Sequence, residues 1–395
     1  MHGNLGGDNS PTDQLVVKGI TWGRTIVDYK NHRGLGDKTK DGIKIIDLYG
    51  QGSICDFTLA KPIYVGAYQY VLVNGINNPK DQEDFYLTST LEKVEGRYYT
   101  PTMLFAEPGL REKLIKSPKE EIRLLNPKYV AKSLGIYGNL ENSLNNMEHG
   151  PRNNSINFTV NNYDFKLKDS GKVEAKIKGQ NSRLEYPLGD KFGIYFTVNS
   201  GEYKMKDFIR PIFKKDSNIG KIEHQEYGMG LYKNSELFKN LTLDSTFGGA
   251  YLENKFKGTE GLNDQEKGYG INLSEKVQYS MELSKDWKLI PMGQLDGVYE
   301  ELGAHRDGII RGTLGAETVY TVNRWEFKGA LGAYQNLRNP DGITIDGEKL
   351  NYHFKRGGVK YTVGTAYEIK DAYKITLDIT YSEEISEKLG LEYKF

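Results

Sequence analysis

The side chains able to do covalent or metal chemistry are scattered along this chain of 395 residues. Its histidines, His2, His32, His149, His224, His305 and His353, stand far apart, with neither an HExxH nor any other paired ligand spacing. The single cysteine, Cys55, has no second thiol to bridge and no neighbouring His, so it reads as a small buried apolar residue. No G-x-S-x-G elbow, GxxxxGK(S/T) loop or GxGxxG turn is present, and the expectation is no catalytic residue, no cofactor and no metal. The formal net charge of zero gives no drive toward nucleic acid.

The charged residues are patterned. Between Ile156 and Phe395 the chain alternates with period two, which sorts side chains onto opposite sheet faces. Tyr373, Ile375, Leu377, Ile379 and Tyr381 fall on one face and Lys374, Thr376, Asp378 and Thr380 on the other. Leu389, Leu391, Tyr393 and Phe395 likewise oppose Lys388, Gly390, Glu392 and Lys394. Glu317, Glu326, Lys328, Lys360 and Asp378 lie on faces that a two-sheet sandwich would bury, at roughly several kcal/mol per unpaired ion. A closed cylinder with a water-filled interior removes that cost and turns the apolar face toward lipid. Aromatic residues near the ends of apolar faces, such as Trp287, Tyr299, Tyr373 and Tyr381, fit girdles at the headgroups.

The elements that must hold these residues divide the chain in three. Residues 1–97 contain short β-type runs broken by Gly and Asn, QLVVKGI, TIVDYK, IKIIDLYG, CDFTLA, AYQYVLVNG and DFYLTS, spaced like solenoid coils. In residues 98–152, Val130, Leu134, Tyr137, Leu140, Leu144 and Met147 recur three or four apart from Pro127 onward, as on a helix. Its other face carries Lys132, Asn139, Asn142 and Asn145, which suits a watery lumen. Residues 153–395 give about twelve strand segments, an even number as closure requires, joined by tight turns at Lys285-Asp286 and Asn323 and by longer loops at 257–266 and 338–348. Tight turns on one rim and long loops on the other is the outer-membrane arrangement. No apolar run approaches the roughly 18 to 20 residues of a membrane helix. Met1–Gly7 lacks the basic and apolar regions of a signal peptide, from which a fragment or misassigned start is expected.

The words LGGDNSPTDQLVVKG, GLGDKTKDGIKIIDLYG, DFTLA, VGAYQYVLVNG and DFYLTS resemble, in order and spacing, the last turns of a pertactin-like autotransporter passenger. RYYTPTMLFAEP is similar to the family's segment before the linker helix, with Thr100 where Arg is usual and Thr102 where Glu is usual, and EKLGLEYKF is similar to its closing strand. The resemblance implies an all-β chain with a linker helix: a short right-handed parallel β-helix, then an antiparallel transmembrane barrel of twelve strands with the helix in its lumen.

It also implies a function. The chain would be a type V secretion translocator and anchor in the outer membrane of a Gram-negative bacterium, carrying its own passenger to the cell surface. Its partners would be outer-membrane lipid and the barrel assembly machinery, its barrel a monomer, and any passenger activity would lie upstream. Leu391, Tyr393 and Phe395 would form the assembly signal, and residues 40–90 the passenger end that folds first. Some family members cut themselves at an Asn pair in the linker helix. Here Asn145-Asn146 sits about one turn later than that motif, Asn142-Ser143 occupies the matching place, and the ordinary reading is a set of lumen contacts or a helix stop before Gly150-Pro151. A porin-like channel and a soluble secreted adhesin are the competing functions; a porin would lack the β-helix words, and a heat-modifiable band on an unboiled detergent gel would separate either membrane protein from the adhesin.

Overall fold

The computed structural model describes the chain except residues 50–53, 75–83, 95–96, 100–118, 148–153, 170–172, 208–216, 260, 346, 351–355, 371, 383–384 and 395. Phe395, His149, His353, the Gly150-Pro151 stop and most of the RYYTPTMLFAEP segment therefore lie outside the described residues. Two compact units are distinguished: Met1–Val130 makes most of the first, and the second holds Ala131–Phe208, Ser217–Ile343 and Lys349–Phe395.

In the first unit, parallel pairs join His2–Gly3 to Lys30–Asn31, Leu15–Val17 to Ile43–Leu48, and Trp22–Val27 to Ile54–Leu59. Each strand meets its partner one coil later, the solenoid geometry expected from the sequence. The expectation fails past Leu59. Ile63–Val65 turns back antiparallel on Tyr68–Asn74, which pairs antiparallel with Phe85–Thr88, which in turn pairs antiparallel with Ile43–Leu48. Gly66, at φ 53°, supplies the left-handed residue of the turn between Val65 and Tyr68. Tyr68, Tyr70, Val71 and Val73 are buried on this meander, so the hairpin closes the apolar core of Ile43, Ile45, Ile46 and Leu87.

The linker helix α1 spans Pro127–Asn145. Asn126 caps it, its Oδ1 accepting from the Lys128 amide at 3.1 Å, and Pro127 fills the first position, where the missing N–H costs nothing.

The second unit contains twelve long strands: β1 Ser155–Asp169, β2 Val173–Gly189, β3 Phe192–Asp207, β4 Asn218–Phe238, β5 Leu241–Gly258, β6 Asn263–Tyr279, β7 Trp287–Leu302, β8 His305–Val322, β9 Trp325–Arg338, β10 Gly357–Ile369, β11 Tyr373–Tyr381 and β12 Ile385–Lys394. Each pairs antiparallel with the next, and β1 pairs with β12 from Ser155↔Lys394 to Asp164↔Ile385. The sheet is thus closed, with no free edge. At one rim the hairpin turns are tight, and every described non-glycine residue with positive φ, Asn240, Asn323 and Lys370, sits in one of them. The span 257–266, expected as a long loop, is mostly strand: β5 runs to Gly258 and β6 starts at Asn263. The span 338–348, also expected as a long loop, carries a separate hairpin that pairs Ile343–Ile345 with Glu348–Leu350, and strand β10 starts at Gly357.

Candidate functional site: a helix held inside the barrel

Cross-strand register fixes which side chains face inward. Arg311 on β8 bonds Glu141 of the linker helix and Asn161 on β1 bonds Asn146 just past its end, so their face is the lumen. On β8 Glu317 shares that face with Arg311, and register carries it from Thr321 to Glu326 and from Val319 to Lys328 on β9. It continues from Gly332 to Lys360 on β10, and from Gly364 to Asp378 on β11. The five residues expected from alternation are therefore all on the helix side of the sheet. Lys328 bonds Asp378 at 2.8 Å, and Lys374 pairs with Glu326.

The helix is packed more tightly than a watery lumen allows. Val130, Leu134, Tyr137, Leu140 and Leu144 are buried as their spacing predicts, but so are Asn139 and Asn142, each with 0% exposure. Lys132 and Asn145 on the same polar face are partly buried. Two features produce this close packing. Phe165, Ile177, Tyr203, Ile222 and Phe256, in direct register on β1 to β5, form an apolar inward row that grips the helix. Gly135 and Gly138 let the two surfaces close: a Cβ on Gly138 would lie 2.6 Å from the Tyr203 ring, and one on Gly135 would lie 2.6 Å from the Asn254 amide.

Polar helix residues are paired with the wall. Lys132 bonds Glu266 at 2.7 Å and lies 3.2 Å from Asp264. The Tyr203 hydroxyl donates to Asn139 at 2.7 Å, Ser143 donates to Glu300 at 3.2 Å, and just past the helix Asn161 donates to the side-chain Oδ1 of Asn146 at 2.6 Å. Arg311 is the hub. Its Nη2 donates to both Glu141 oxygens at 2.9 Å, its Nε to Asn336 at 2.8 Å and its Nη1 to Asn145 at 3.3 Å, and the guanidinium lies 4.5 Å from the Tyr334 ring centre. Such a fork-shaped, multiply bonded arginine is how a buried charge is held without a large desolvation loss. Alternation points to Arg311 because it has the parity of Glu317; nothing in the linear sequence links it to Glu141, 170 residues away. Among the described residues no cluster of His, Cys, Asp and Glu could hold a metal.

Outward, Leu314 is 74% exposed, and Ile375, Leu377, Ile379, Leu389 and Leu391 are exposed with it. At the tight-turn rim the outward aromatics pair across strands: Trp287 with Tyr320 at 4.9 Å, Trp325 with Tyr367 at 4.7 Å and Tyr373 with Tyr393 at 5.0 Å between ring centres. Leu391 and Tyr393 stand on this lipid-side face of β12, opposite Phe158 and Ile156 of β1. An apolar exterior, an aromatic rim and a charged, filled interior define a transmembrane barrel.

The family described as Autochaperone Domain Type 1 matches residues 1–72, and the Autotransporter beta-domain matches residues 184–380. The chain belongs to the autotransporter family. Autotransporter adhesin AIDA-I of Escherichia coli is 44% identical over 101 residues, covering 26% of this chain and 8% of that protein. The Adhesin BmaC autotransporter of Brucella suis biovar 1 (strain 1330) is 26% identical over 396 residues, covering 92% of this chain and 11% of that protein. The autotransporter chain thus spans about a tenth of the length of these relatives. In fold it is similar to the translocator domain of autotransporter NalP from Neisseria meningitidis, with a TM-score of 0.50 at 12% identity over 68% of this chain and 97% of that one. The autotransporter barrel is an outer-membrane barrel, and the soluble sandwich is set aside.

Proposed function

We propose that this chain exports a passenger joined to its N-terminal side across the outer membrane, holds it at the cell surface, and catalyses no reaction of its own. The observation that carries the reading is a helix threaded through a closed ring of twelve strands. A porin-like channel has no use for a lumen filled by its own polypeptide. In this reading residues 1–97 are the passenger end, with 40–90 folding first, 98–152 are the linker region whose helix occupies the pore, and 153–395 span the membrane as a monomer. Leu391, Tyr393 and Phe395 present the closing strand to the barrel assembly machinery.

The test is to express the full chain with an epitope at its N-terminal side. Protease added to intact cells should remove the epitope and leave a barrel that migrates faster unboiled than boiled. An epitope that stays protected while the barrel is folded would refute export. Removing Phe395 should lower the amount of inserted barrel, and unchanged insertion would refute the assembly role.

A further inference from the structure

The upper parts of β1 to β5, toward the rim away from Asn240 and Asn323, reverse the alternation of the parts below. Inward they carry the apolar row from Phe165 to Phe256, so the residues next to these in sequence must point outward. Those neighbours are Lys166, Lys176, Lys204, Lys221 and Lys257, each directly opposite the next across the sheet. Five lysines therefore form an unbroken ladder around one side of the barrel, with side chains between 38% and 71% exposed.

The next outward row, one step toward the membrane, is Asp164, Lys178, Glu202, Glu223 and Lys255. Its acids bridge to the ladder, for example Lys221 to Glu202 at 2.6 Å and Lys257 to Glu223 at 2.7 Å. The two rows still hold seven lysines to three acids. Below them, across one further polar row, the outward residues become Tyr227, Tyr251 and Tyr269, again in register, where the apolar band begins.

Like charges directly opposite one another oppose strand pairing. Each ladder lysine lies within 3.6 Å of an acid on a flanking row, Glu174, Asp164, Glu202 or Glu223. These four carboxylates are shared among more lysines than they can neutralise, so the repulsion within the row is offset only in part. The ladder faces sideways from the barrel three outward rows above the tyrosines, roughly 15 Å along the barrel axis, at the level of the saccharide headgroups of an outer membrane. We propose that it is a docking surface for the phosphorylated saccharide headgroups of the glycolipid in the outer leaflet. Ammonium groups on adjacent strands, about 5 Å apart, would share phosphate oxygens and relieve their own repulsion. A polybasic patch gains roughly fivefold in binding per lysine toward an anionic membrane surface.

The test uses the full chain reconstituted in phosphatidylcholine nanodiscs, with capture of bisphosphorylated lipid A compared with the same lipid after dephosphorylation. The native chain should retain the phosphorylated form preferentially. K176Q/K204Q/K221Q/K257Q should lose at least tenfold in that preference, while K233Q/K239Q, changed near the opposite rim, should keep it. Folding is verified by the mobility shift on unboiled gels; if the fourfold variant fails it, K204Q/K257Q replaces it with a loss of at least threefold expected. Equal capture of the dephosphorylated lipid overturns the proposal. So does an unchanged preference in a folded variant, displacement by millimolar inorganic phosphate, or displacement by an acidic peptide, the last two assigning the ladder to a free anion or to a protein partner.

Discussion

Replacing Glu141 with alanine isolates the strongest tie between helix and wall. Arg311 would lose both bonds to the carboxylate and keep those to Asn336 and Asn145 and its contact with Tyr334. Removing one partner of a buried pair costs about 3–5 kcal/mol, and the surviving partners put the figure at about 3 kcal/mol here. The cost falls on the helix-in state, because Arg311 regains water when the helix leaves. The ratio of vacant to filled lumen should then rise about a hundredfold or more. In planar lipid bilayers the native chain should be nearly silent and E141A should show frequent openings of full barrel size. The double replacement E141L/R311M should return toward silence, since a matched apolar pair leaves no stranded charge. Silent E141A channels, or a double variant as open as the single one, would refute the view that this ion pair seats the helix.

Gly138→Ala should destabilise the barrel by about 1–3 kcal/mol through the clash with Tyr203, although alanine is the better helix former by about 1 kcal/mol; a raised temperature of conversion to the slow gel form would contradict the packing. Asn323→Val should lower that temperature through a left-handed penalty of about 1–2 kcal/mol, whereas Asn323→Gly should leave it nearly unchanged. In the first unit, burial pushes the Tyr70 phenol up to about 12, against the opposing effect of its bond with the Asp37 backbone. The folded form therefore keeps a proton that the unfolded chain releases near pH 10, so stability is intact below that pH and falls by about 3 kcal/mol on approaching pH 12. Denaturant midpoints across this window should fall for the native chain and stay flatter for Tyr70→Phe.

The alternation at Tyr373–Tyr381 and Leu389–Tyr393 was enough to assign faces, because a period of two is imposed by the strand itself and survives any error in boundaries. The 3–4 spacing from Val130 to Leu144 located the helix for the same reason. What the pattern does not carry is the change of phase within β1 to β5. There the solvent outside switches from lipid to water and the lumen from charged residues to Phe165, Ile177 and Tyr203, and that level is set by the position of the helix. The pairings of Arg311 with Glu141 and of Lys132 with Glu266 join residues 134 or more positions apart, and chain order says nothing of such distances. The meander from Ile63 to Thr88 is not legible in the sequence, because its short apolar runs suit parallel and antiparallel partners equally and only Gly66 marks the reversal.

The close fit around Gly135 and Gly138 also bears on the cell that carries this protein. With every copy stoppered by its own polypeptide, display at high density adds no leak for ions or small toxic solutes. The number of molecules on the envelope is then free to vary without weakening it as a permeability barrier.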